Sequence, residues 1–219
     1  MGKLFIVSTP IGNLKDITFR ADKVLKEADL IACEDTRHSR ILLDKYGIKT
    51  PTVSYHQYSR LQKIDYLISQ LKLGKNIALI TDSGTPGISD PGSYLIQKAL
   101  EDKIEAVSIP GPVAFVATLS ISGFPINEFL YLGFLPKKKG RQTLLGKLKN
   151  EKRTIVFYES PYRIIKTLEE LRSILGNREV IVARELTKKF EEVYRGKISE
   201  VLNKIKPKGE FVVVIKERK

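Results

Sequence analysis

The chain has 219 residues, 42% of them hydrophobic, which is enough to bury a core and too much for a disordered polymer. Its formal net charge is +13, from 38 Lys and Arg against 25 Asp and Glu, and its one cysteine, Cys33, excludes an internal disulfide and a cysteine-based zinc cluster. No apolar stretch reaches the length of a membrane span, and the run Leu4-Phe5-Ile6-Val7 is too short for a signal peptide, so the expectation is a cytoplasmic protein with no membrane attachment.

The elements alternate from the start. Lys3 to Ser8 reads as a buried strand, and Thr9-Pro10-Ile11-Gly12-Asn13 as the turn leaving it. Asp16 is expected to cap a helix carrying Ile17, Ala21, Val24, Leu25 and Ala28 inward. Leu30 to Cys33 is a second strand, and Arg37 to Tyr46 a helix closed by Gly47. A short strand-like piece, Val53 to His56, precedes an amphipathic helix from Arg60 to Leu73, stopped by Gly74. Ile77 to Ile80 is again a strand, and Tyr94, Leu95, Ala99 and Leu100 are spaced for one helix face. Val107 to Ile109 and a helix opened by Pro110-Gly111-Pro112 complete a first half read as a mostly parallel, doubly wound sheet.

A domain boundary is expected near residue 112, giving α/β domains over 1–111 and 112–219. In the second, Leu130 to Leu135, Thr154 to Tyr158, Val180 to Ala183, Phe190 to Tyr194 and Phe211 to Ile215 read as strands. Arg141 to Leu148, Ile164 to Leu175 and Ile198 to Ile205 read as helices, and the end of the chain has the more antiparallel character of a mixed sheet.

The most informative stretch is Thr81 to Gly92, twelve residues with three Gly and two Pro between a strand and a helix. Gly permits positive φ and close approach of a ligand, Pro fixes φ, and strand-to-helix loops are where open α/β sheets hold ligands. Asp90 and Pro91 read as the cap and first residue of the next helix. A long surface turn with a capped helix behind it explains the same residues. Dinucleotide and phosphate-loop signatures, H-E-x-x-H and G-x-S-x-G are missing from the sequence. Instead, Pro/Gly turns recur at strand ends: Thr9 to Gly12, Asp82 to Gly87, Pro110 to Pro112 and Glu159 to Pro161. Lining one cleft, they would offer main-chain groups to a flat, adenosine-like ligand. Charge is equally divided in meaning, between a polyanionic partner and a soluble surface. Its concentration in Lys137-Lys138-Lys139, Arg141, Lys147, Lys149, Lys152 and Arg153, eight cations in seventeen residues, favours nucleic acid.

Eight motifs occur in order: Thr9 to Leu14, Cys33 to Arg37, Ser54 to His56, Asp82 to Gly92, Pro110 to Pro112, Gly133 to Pro136, Phe157 to Pro161 and Ala183 to Thr187. Together they resemble the tetrapyrrole (corrin/porphyrin) methylase superfamily, and within it the branch that methylates ribosomal RNA of the small subunit. The resemblance implies two α/β domains, S-adenosylmethionine held in the cleft between them, a homodimer, and methylation of a cytidine ribose 2′-hydroxyl in the decoding region of 16S rRNA. It assigns the cofactor to Pro10, Gly12, Asp82, Gly84, Thr85, Pro86, Gly87, Ile88, Val113, Ala114, Tyr158, Leu186 and Gly209. This chain departs from the family pattern with Val113 where Ser is common after P-G-P and Tyr162 where His is common after Y-E-S-P. It also ends soon after Ile215, where many members continue into a helical region.

Methyl transfer to a ribose hydroxyl calls for a base to take the proton or a cation to stabilise the developing alkoxide, and for no metal. The candidates are Glu34, Asp35, Arg37, His56 and Glu159, with Arg184 and Glu185 behind them. A structural ion pair explains Asp35 and Arg37 as well, and His56 reads equally as a hydrogen-bonded structural histidine. Lys137, Lys138, Lys139 and Arg141 are the expected contacts to the rRNA backbone, with Tyr131 and Phe134 as base-stacking or core residues. Two other readings stay open. One is a methylase acting on a tetrapyrrole, and the other is a ribosome-binding protein without catalysis.

Overall fold

The computed structural model describes residues 1–55 and 61–218. Its packing divides the chain into two compact units, Met1–Val113 and Ala114–Lys219.

In the first unit, β1 (Leu4–Val7), β2 (Leu30–Cys33), β3 (Thr52–Ser54), β4 (Ile77–Ile80) and β5 (Ala106–Ile109) form a parallel sheet in the order β3-β2-β4-β1-β5. All of β4 is buried, as befits a strand covered on both faces, and this is why its sequence is a continuous apolar run. Its side chains alternate. Ile77 and Leu79 pack beneath α3 (Leu61–Lys72) and α4 (Ser93–Glu101), whereas Ala78 and Ile80 pack beneath α1 (Phe19–Glu27) and α2 (Thr36–Lys45). β4 therefore passes the chain to one face of the sheet, while its neighbours β1 and β2 pass it to the other. The loop after β4 leaves in the opposite direction to the loops on either side, which opens a crevice at the carboxyl ends of these strands.

Two expected helix starts move. Thr18, not Asp16, caps α1, its hydroxyl accepting from the Ala21 amide at 3.0 Å, because Asp16 is taken into a single 3-10 turn, Leu14–Asp16. Nor do Asp90 and Pro91 open α4, which begins at Ser93 behind Gly92. The chain first doubles back, the Gly87 amide donating to the Pro91 carbonyl at 3.3 Å. A Cβ at Gly92, whose φ is +144°, would stand 3.2 Å from both the Gly87 nitrogen and Leu79 Cδ2, so this approach admits only glycine.

In the second unit, β6 (Phe129–Phe134), β7 (Thr154–Glu159), β8 (Glu179–Arg184), β9 (Glu192–Lys197) and β10 (Phe211–Ile215) form a mixed sheet ordered β6-β7-β10-β8-β9, in which only β6 and β7 run parallel. α6 (Arg141–Leu148), α7 (Ile164–Leu175) and α8 (Ile198–Leu202) cover one face over Ile155, Phe157 and Val213. α5 (Ala114–Ser120) packs on the other face over Val156, Ile181 and Val214. Phe190 falls outside β9, whose pairing starts at Glu192, because Glu185 and Thr187 take left-handed backbone (φ 50° and 65°) in the turn between. Among the described residues no helix is long and apolar enough to cross a membrane, and no group of three metal-ligating side chains assembles.

Candidate functional site

The crevice of the first unit gathers the turns after β1, β4 and β5. Thr9 and Gly84 exchange backbone hydrogen bonds, Thr9 N to Gly84 O at 2.8 Å and Gly84 N to Thr9 O at 3.1 Å. The Thr9 hydroxyl, buried, donates to the Thr81 carbonyl at 3.2 Å. The Ser8 and Thr85 hydroxyls lie 2.7 Å apart, and Thr85 Oγ1 reaches the Pro112 carbonyl at 3.4 Å. A Cβ on Gly84 (φ +80°) would touch Ile11 Cγ2 at 3.5 Å and Pro112 O at 3.7 Å, and one on Gly111 would stand 2.8 Å from Ser8 Cβ. Pro10, Gly12, Asp82, Gly84, Thr85, Pro86, Gly87, Ile88 and Val113 thus lie on three turns that touch one another. Ser8 and Thr9, which tie those turns together, were not among the expected residues. Their signal is two hydroxyl side chains closing an apolar strand, both buried.

The turn after β2 joins the same edge through Asp82, whose Oδ1 accepts from the Asp35 amide at 3.2 Å. Asp35 caps α2, its Oδ1 accepting from the Arg37 amide at 2.8 Å, while its Oδ2 pairs with Arg37 Nη2 at 2.9 Å. The hydrogen bonds from Arg37 hold the Asp35 carboxyl at about 2, far below its ordinary value, and raise the Arg37 guanidinium in return. Asp35 is consequently a fixed anion and a weak base. Arg37 extends into solvent as a cation. Glu34 is half-buried between β2 and this pair. Burial pushes the Cys33 thiol up, which keeps it protonated and unreactive. His56 lies outside the described residues.

In the second unit, Ala114, Tyr158 and Leu186 share the α5 face of the sheet. The Tyr158 ring stands edge-on to Tyr131 (centroids 6.0 Å) and tilted against Phe134 (5.3 Å). Gly209, with φ +92°, packs against Glu185, where a Cβ would come within 2.5 Å of Glu185 Cγ. Glu159 is a correction. One residue along β7 from Tyr158, it points to the opposite face, buried, with Oε1 paired to Arg163 Nη2 at 2.7 Å and Oε2 accepting from Thr167 Oγ1 at 2.7 Å. Both oxygens being held in the core, it is a structural anion rather than a proton acceptor. Arg141 is another. It is only 7% exposed, and its guanidinium bonds Glu170, Thr167 and the Pro136 carbonyl instead of facing solvent. Arg153 is likewise clamped by Glu151, with Nε to Oε1 at 2.8 Å and Nη2 to Oε2 at 2.9 Å. Lys137, Lys138 and Lys139 remain exposed.

A crevice of glycine-rich turns at the carboxyl ends of parallel strands, on this pair of sheets, defines a class. A family profile for the tetrapyrrole (corrin/porphyrin) methylases matches residues 3–202, and the chain belongs to that family. The fold agrees with a uroporphyrin-III C-methyl transferase from Thermus thermophilus, solved in complex with S-adenyl homocysteine: TM-score 0.70 at 18% identity, covering 99% of this chain and 98% of that one. More specifically, the chain is similar to ribosomal RNA small subunit methyltransferase I of Thermotoga maritima, 48% identical over 218 residues and 98% of both chains. The Synechocystis protein of the same name is 47% identical over 220 residues, covering 98% of this chain and 79% of that one.

Proposed function

We propose that the protein is an S-adenosylmethionine-dependent methyltransferase acting on 16S rRNA of the small ribosomal subunit, at the 2′-hydroxyl of a cytidine in the decoding region. The observation that supports it most is the meeting of the β1, β4 and β5 turns around Gly84, read together with near-full-length similarity to relatives that carry the rRNA name. The residues fit the cofactor. Their contribution is main-chain N–H and C=O on turns that glycine alone can shape, together with the Asp82 carboxylate, which suits a flat nucleoside carrying a positive sulfonium. S-adenosylmethionine, when bound, supplies the electrophilic methyl group.

The chain's own task is then positional. In-line displacement is accelerated chiefly by holding the ribose oxygen close to the methyl carbon along the sulfur–carbon axis, and rigid turns at strand ends do this well. The hydroxyl proton needs an acceptor or a nearby cation. With Asp35 a weak base and Glu159 turned into the core, Glu34 is the proposed acceptor and Arg37 the proposed stabiliser of alkoxide charge. Ala114, Tyr158, Leu186 and Gly209 extend the cofactor proposal to the second unit. The resemblance adds a homodimer working in the cytoplasm, checked by light scattering and by fractionation.

The deciding experiment incubates the protein with methyl-labelled S-adenosylmethionine and either small subunits, free 16S rRNA or a tetrapyrrole, and maps the labelled nucleotide. Label on a ribose of the small subunit is expected. Label on the tetrapyrrole alone, or cofactor affinity without transfer to any acceptor, would replace this reading.

A further inference from the structure

We infer that a buried ionic chain in the second unit fixes the backbone around Lys137, Lys138 and Lys139, so that the three lysines reach RNA phosphates from one preset stretch of chain. The inference rests on the RNA reading just given. Its links are all short. Glu170 Oε2, on α7, accepts from Arg141 Nε at 2.9 Å and Nη2 at 2.6 Å. Arg141 Nη2 also donates to Thr167 Oγ1 at 2.8 Å, and that hydroxyl donates to Glu159 Oε2 at 2.7 Å. Glu159 Oε1 pairs with Arg163 Nη2 at 2.7 Å.

The two guanidinium groups end on consecutive carbonyls. Arg163 Nη1 donates to Leu135 O at 3.0 Å and Arg141 Nη1 to Pro136 O at 3.1 Å. On the far side of the lysines, the Arg141 amide closes the turn on the Lys138 carbonyl at 3.1 Å, and Gly140, with φ +81°, turns the chain into α6. The exposed lysines are therefore bounded at residues 135, 136 and 141 by bonds that lead back to one buried carboxylate, Glu159.

A chain of two carboxylates and two guanidiniums is a weak source of stability, because desolvation offsets most of its attraction. What it provides is direction. A guanidinium holds a carbonyl, a hydroxyl and a carboxylate in one plane, which lysine cannot do. Arg141 and Arg163 are on this account positioning residues, acting on RNA through the lysines and touching no phosphate themselves. A preset backbone gives up less conformational freedom on binding than the same three lysines carried on a mobile loop.

The sign of one substitution separates this account from simple charge attraction. Glu170→Gln removes a negative charge near the basic segment, so attraction alone predicts tighter RNA binding. The positioning account predicts the reverse: affinity for small subunits about tenfold weaker, a salt slope reduced by roughly one as fewer phosphates are met together, KM raised more than kcat is lowered, and calorimetric affinity for S-adenosylmethionine unchanged. Arg141→Lys, which keeps the charge and loses the fork, is expected to behave the same way and serves if E170Q does not fold. RNA affinity in folded E170Q or R141K equal to or above the wild type, even with a lowered Tm, would overturn the inference. Amide exchange at residues 138–141, read on the same samples, keeps the two proposals apart. Wild-type protein that leaves small subunits unbound sinks the RNA reading, whereas exchange unchanged by E170Q sinks the positioning role.

Discussion

Among the described residues three carboxylates stand at about 2, and each has a named cause. Arg37 lowers Asp35, Arg153 lowers Glu151, and Lys206 with the Tyr194 hydroxyl lowers Glu192. Their ordinary values are 3.8 for Asp35 and 4.5 for the two glutamates, so the unfolded chain takes up protons first as the pH falls. Depressed groups contribute stability that is complete above their unfolded values and disappears on acidification towards the folded ones. The Tm is thus expected to hold steady from neutrality to about pH 5 and to fall between about pH 4.5 and 2, with the fall softened by salt because these groups are only partly buried. A Glu192→Gln variant should show a shallower acid limb in a Tm-versus-pH series. Catalysis separates the neighbours Glu34 and Asp35. Glu34→Gln is expected to lower kcat by about 100-fold or more at unchanged cofactor affinity, the size typical of a lost general base, and full activity in that variant would remove Glu34 from the mechanism. Asp35→Ala should instead remove the cap of α2 and lower the midpoint of a denaturant titration, while Asp35→Asn, which still caps, should leave that midpoint much nearer the wild type.

At the scale of elements, the turns after β1 and β5 are locked by the absence of a side chain. Gly111 faces Ser8 so closely that the Cβ of an alanine, 2.8 Å from Ser8 Cβ, must push one of the two turns aside. Gly111→Ala is expected to weaken S-adenosylmethionine binding at least tenfold by calorimetry while leaving the helices intact by circular dichroism. Unaltered affinity would show that the β5 turn takes no part in the cofactor site. Gly84 carries a different constraint: its φ of +80° makes Gly84→Ala strained even where space exists, so that variant should lose stability as well as affinity.

For the whole molecule the governing quantity is charge. A net +13 acts over about 10 Å at moderate salt, so it guides encounter with any polyanion, while contact decides how many phosphates are neutralised. On the proposed RNA reading that contact falls to the exposed Lys137, Lys138 and Lys139, whereas Arg141 and Arg153 are held by carboxylates. Reversing the three lysines to glutamate is expected to lower the dependence of log affinity on log salt by roughly two to three, at about 0.9 per phosphate. A slope left unaltered would place the RNA contact elsewhere on the surface.

The sequence alone was enough for the layers and the turns. Continuous apolar runs such as Ile77 to Ile80 and Phe211 to Ile215 specify strands covered on both faces, and Gly and Pro at fixed offsets specify where the chain must bend, because both signals act over a few residues. Helix starts were harder. The pattern Asp90-Pro91 is a sound local cap, overridden by the contact of Gly92 with Gly87 and Leu79. Only the tertiary structure could assign the charged side chains. Glu159 sits in the same motif as Tyr158, yet the alternation of β7 sends one to each face of the sheet, and Glu159 meets Thr167 and Arg163 on α7 and its approach. Arg141 and Lys139 lie two residues apart in one basic run, yet one is buried against Glu170 and the other is open to water. Whether a charge faces solvent or a partner depends on which distant element packs beside it, and that information resides in the assembled sheet rather than in any stretch of chain.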